Sequence, residues 1–72
     1  MKNSNEVIFL IEDAPEGGYT ARALGHSIFT EADNWFELES NIREAVECHF
    51  ENEDETPQII RLHHTREAVI AL

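Results

Sequence analysis

The chain has 72 residues, room for one small domain, expected over residues 1–72. Fifteen Asp and Glu against five Lys and Arg give a formal net charge of −10, the wrong sign for gripping nucleic-acid phosphates or an anionic membrane surface. The one cysteine, Cys48, has no internal partner, which excludes a disulfide-stapled mini-protein.

Met1 to Glu6 is polar and carries no apolar signal-peptide core. The longest apolar runs, Val7 to Ile11 and Ala68 to Leu72, are five residues each, far below the ~20 that span a bilayer. A cytoplasmic protein is the expectation.

Val7-Ile8-Phe9-Leu10-Ile11 is β-branched and aromatic and reads as a first strand. Glu12 to Gly18 is a turn cluster in which Pro15 fixes φ and the glycines permit positive φ. Tyr19 to Leu24 is the second strand, Gly25-His26-Ser27 the next break, and Ile28-Phe29-Thr30 a short third strand. Asn34 is the expected helix N-cap, with Glu37 three positions on. Leu38, Ile42, Ala45, Val46, His49 and Phe50 then share one helical face, with Glu39, Ser40, Arg43, Glu44 and Glu47 opposite. The spacing predicts a helix from Trp35 to about Glu51, before Pro57 forbids continuation. A last extended segment starts near Gln58 with Ile59 to Leu62 and ends with Ala68 to Leu72, with a bulge or tight turn at Thr65-Arg66-Glu67. The expected fold class is α+β in two layers: an antiparallel sheet with one amphipathic helix on one face, in the order β-β-β-α-β.

The first strand is apolar at both odd and even positions, although neighbouring strand residues face opposite ways. One helix covers one face of a sheet. A second copy, a partner protein or the chain's own last segment would cover the other, unless these are ordinary outward apolar residues. A homodimer through the sheet or the last strand is expected.

Glu16-Gly17-Gly18-Tyr19-Thr20-Ala21, after an acidic turn, resembles the hairpin of HicB-like antitoxin domains. Phe29-Thr30-Glu31-Ala32-Asp33-Asn34 looks like the segment that leads into that family's helix. Glu37-Leu38 with Asn41-Ile42-Arg43-Glu44-Ala45-Val46 is similar to the helix itself. The resemblance covers residues 6 to 51 by motif and the last strand by pattern. It implies a β-β-β-α-β domain, a partial version of the double-stranded-RNA-binding fold. In the family this domain occupies the active site of HicA, a small basic mRNA-cleaving toxin, by steric block and charge complementarity. Two departures stand out. The family's Pro-Gly-Cys before the third strand is replaced by His26-Ser27-Ile28. The family's C-terminal DNA-binding module has no counterpart among these residues, so the resemblance is to a stand-alone member without a DNA-binding module.

Catalytic and metal chemistry are thinly represented. His26, Cys48, His49, His63 and His64 are metal-ligating types, yet Cys48 and His49 are adjacent on a helix and His63 and His64 adjacent on a strand. At most one of each pair can converge on a point, and no C-x-x-C or H-x-x-x-H occurs. A lone helical cysteine reads as a small buried or half-buried hydrophobe, and one of His63 and His64 as facing solvent. Gly17-Gly18 lacks the following helix of a phosphate-binding loop. No enzymatic activity, cofactor or metal is expected. The expected function is an acidic binding module for a small basic, HicA-like protein, bound through Glu12, Asp13, Glu16 and Tyr19, with Glu51 to Glu55 as a second acidic patch; the alternative is a structural homo-oligomer with no toxin partner. Neither nucleic acid nor membrane is expected to bind directly.

Overall fold

The computed structural model describes residues 5–66 and 68–72. Five elements follow in order: β1 (Glu6–Asp13), β2 (Tyr19–Ala23), β3 (Phe29–Ala32), α1 (Trp35–His49) and β4 (Ile59–His64). The α+β class and the β-β-β-α-β order match the sequence reading.

The link from β1 to β2 closes with Gly17 N–H donating to the Ala14 carbonyl and Ala14 N–H to the Gly18 carbonyl, both at 3.0 Å. Gly18 sits at φ +84°, and a Cβ there would lie 2.5 Å from the Ala32 carbonyl oxygen. Glycine is required on both counts, since positive φ is costly for other residues and the turn rests on the end of β3.

Asn34 caps α1 as expected: its backbone is extended and its side-chain oxygen accepts the Glu37 N–H at 2.8 Å. Asn41 then donates to the Glu31 carbonyl at 3.1 Å, tying α1 to β3. The helix ends at His49, two residues short of the predicted end. The carboxylates of Glu51 to Glu55 oppose the negative end of the helix dipole, and a separate turn takes over, with Thr56 Oγ1 donating to the Asn52 carbonyl at 3.0 Å.

The sheet order is β3-β2-β1-β4. β1–β2 and β2–β3 are antiparallel, whereas β4 runs parallel to β1, with Val7 opposite Ile60 and Phe9 opposite Leu62. The expected antiparallel sheet is therefore corrected to a mixed one. A helix between two strands returns the chain to the end where it started, so β4 runs in the direction of β3 and hence of β1.

Val7, Phe9 and Ile11 of β1 meet Leu38, Ile42 and Val46 of α1, with Ala21, Ala23 and Ile28 completing the core. Burying a side chain such as Phe9 or Leu38 is worth about 1.5–3 kcal/mol. Val46 is buried and Glu47 exposed, as the helix phase predicts. Cys48, expected to be buried or half-buried, is exposed; it lies about 200° around the helix from Val46. His49 also falls outside the core and packs edge-to-face on Phe50 at 4.9 Å between ring centroids.

The face of the sheet away from α1 carries Ile8 and Leu10, both half-buried, with the exposed Leu24, Phe29 and Ile59. Arg61 donates to both carboxylate oxygens of Glu6 across this face, at 2.9–3.3 Å, which raises the Arg61 pKa above its ordinary value through the hydrogen bond and then the charge attraction. Ala68 to Leu72, expected to end the last extended segment, forms no strand and is exposed. Glu67 of the expected bulge lies outside the described residues.

Candidate protein-binding site

The end of the sheet that carries the β1–β2 turn also receives the N-terminus of α1 and the exit of β4. Side chains from all of these meet there. Tyr19 opens β2 on the helix side, next to Asp13 of β1 in the antiparallel register. Trp35 is the first residue of α1, and its ring meets Tyr19 edge-on at 5.2 Å. His64, the last residue of β4, lies 5.6 Å from Tyr19 and 5.2 Å from Trp35. Edge-to-face rings at such separations are attractive beyond the area they bury.

The three rings are half-buried and ringed by charge. His64 Nε2 lies 3.0 Å from Asp13 Oδ1, and Arg66 Nε lies 3.7 Å from Asp13 Oδ2. Trp35 Nε1 donates to Glu39 at 2.8 Å. Asp33 and Asn34 join Tyr19, Trp35 and Arg66 in lining the depression over the rings. Beside it, a second hollow is lined by Glu16, Tyr19, Asp33, Glu37 and Asn41. The result is an aromatic floor with a rim dominated by carboxylates.

The four residues singled out from the sequence separate into three settings. Asp13 and Tyr19 share the helix side and belong to the ring cluster. Glu16 is exposed on the turn beside it. Glu12 alternates to the outer face of the sheet, beside Thr20 of β2 and Glu31 of β3. The second acidic patch, Glu51 to Glu55, lies at the opposite end of the sheet: Asp54 and Glu55 flank a hollow with Asn5 and Glu6, where β1 begins. The two patches therefore form no continuous surface.

Sequence reasoning missed Trp35, His64 and Arg66. Trp35 directly follows the N-cap, and from there its ring reaches Tyr19 of β2 and His64 of β4. His64 is marked by parity, since Ile60, Leu62 and His64 share one face of β4, leaving His63 exposed on the other. Among the described residues, no three His, Cys, Asp or Glu side chains converge in a way that could hold a metal ion. No helix among them is long and apolar enough to cross a membrane.

Fold and site together define a small acidic α+β domain whose sheet end presents aromatic rings within a carboxylate rim. A UPF0150 protein of Archaeoglobus fulgidus is 58% identical over 53 residues, which are 74% of this chain and 77% of that protein. A UPF0150 protein of Thermotoga maritima is 32% identical over 72 residues, the full length of both. The chain belongs to the UPF0150 family. No family model and no solved structure matches it.

Proposed function

We propose that this protein is a binding module that acts as HicB-like toxin-neutralising domains do, docking on a small basic, HicA-like protein and blocking it sterically. The observation that carries this reading is the half-buried Tyr19–Trp35–His64 cluster set beside Asp13, Glu16 and Asp33. Large rings held in place by packing are the anchors that dominate interface energies. A carboxylate rim on a chain of net charge −10 draws a basic partner in and orients it. Such a module contributes binding and no bond-making chemistry. The single cysteine fits a reducing, cytoplasmic setting, and the net charge argues against direct contact with nucleic acid.

The test is kinetic binding to a HicA-like protein from the same host, at low and high salt. Association that is fast at low salt and slows as salt rises supports the reading, since the Debye length shrinks to about 3 Å at 1 M. An absence of binding at low salt overturns it.

A further inference from the structure

Ala68-Val69-Ile70-Ala71-Leu72 is uncharged and apolar at every position, yet all five residues are exposed, Val69 at 92% and Ile70 at 83%. Among the described residues the segment pairs with no strand of its own sheet.

A matching vacancy exists on the same chain. α1 packs over β3 and β2 and leaves a groove against β4, floored by Ile42, Ile60 and Leu62 between Glu39 and Arg43. β4 ends the sheet on that side, and among the described residues nothing pairs with its outer edge. Natural sheets blunt such edges with prolines, charged side chains or bulges; Ile59 to His64 has neither proline nor bulge, and its one charged residue, Arg61, is paired with Glu6 of its own sheet.

We infer that segment 68–72 of one copy adds as a strand to the β4 edge of a second copy, reciprocally, forming a two-fold dimer. On an added strand Ala68, Ile70 and Leu72 share one face and Val69 and Ala71 the other. Ile70 and Leu72 have the spacing of Ile60 and Leu62 and enter the groove, while Val69 lies on the side of Ile59. Main-chain hydrogen bonds supply the pairing, and the alternate side chains set the register. A second copy is the occupant because unpaired segment and vacant edge occur once each per chain, and a two-fold axis satisfies both at once. No side chain of the contacting segment is charged, so the repulsion between two chains of net charge −10 acts mainly between the remaining surfaces and weakens with salt. This inference does not depend on the proposed function. Raising salt strengthens this association and slows the encounter with a basic protein, so the two readings fail separately.

The experiment is sedimentation equilibrium of the full chain from micromolar to submillimolar concentration, at low and high salt. The expected result is a mass rising towards twice the 8.3 kDa of one chain, with tighter association at high salt. Ile70→Asp, a change at an exposed position, should weaken association by about tenfold or more and leave the melting curve of the single chain intact. Hydrogen exchange of the outward-facing β4 amides should be slowed in the wild-type dimer and fast in the variant. A wild-type mass of one chain throughout overturns the inference, including the case where the segment folds back on its own β4. So does an Ile70→Asp chain that dimerises as tightly as the wild type.

Discussion

Asp13 and His64 lie 3.0 Å apart, oxygen to ring nitrogen, although 51 residues separate them in sequence. One ends β1 and the other ends β4, and the parallel pairing of these strands brings both to the turn end on the helix side. His64 gains more from ring packing than from the carboxylate, because Asp13 is about half exposed and exposed ion pairs contribute little. His64→Ala should therefore lower stability by about 1 kcal/mol through lost contacts with Tyr19 and Trp35, and Asp13→Asn by under about 0.5 kcal/mol. Urea unfolding of the two variants checks this, and the reverse order of effects would sink it.

Gly18 and Gly17 both have positive φ, but only Gly18 presses on β3. Gly17→Ala has open space and should cost about 1 kcal/mol for the backbone conformation alone. Gly18→Ala meets the Ala32 carbonyl as well and should cost at least about 2 kcal/mol. Equal costs in thermal melts would show that the close approach to β3 contributes nothing.

Val46 is 2% exposed at the centre of the core, with Glu47 next to it on the solvent side. Val46→Asp places an unpaired carboxylate among Phe9, Leu38 and Ile42 and should abolish cooperative folding, a loss of more than about 3 kcal/mol. Glu47→Gln should melt like the wild type. Far-UV circular dichroism of the pair reads out the helix phase directly.

Asn34 supplies the side-chain acceptor for the Glu37 N–H. Asn34→Ala should cost about 1 kcal/mol and Asn34→Asp almost nothing, since aspartate caps equally well. Chemical denaturation of both variants separates a capping effect from a general intolerance of substitution at this position.

If a basic protein docks on the turn end, the two kinds of residue there should act on different rate constants. Charge reversal of Glu16 and Asp33, the exposed carboxylates beside the rings, should slow association and flatten its salt dependence, with little effect on dissociation. Tyr19→Ala and Trp35→Ala should speed dissociation instead, by about tenfold each if they are anchors. Surface plasmon resonance with a HicA-like protein distinguishes the two patterns. Identical effects from both sets would remove the division between rim and anchor.

The local pieces of this fold are legible in the amino-acid order alone. Asn34 with the periodic Leu38, Ile42 and Val46 defined α1, the β-branched run Val7 to Ile11 defined β1, and Gly17-Gly18 defined the turn between β1 and β2. Caps, periodicity and turn glycines act within a few residues, so they are legible without a fold. Whatever depends on which strands become neighbours is set by packing over long sequence distances. The crossover through α1 set β4 parallel to β1, and that pairing alone carries His64 and Arg66 to Asp13. Strand alternation then divided the four acidic-turn candidates, sending Glu12 to the outer face while Asp13 and Tyr19 joined Trp35. Segment 68–72 reads locally as a strand, yet a strand forms only where an edge accepts its hydrogen bonds, and no single-residue preference specifies which edge that is.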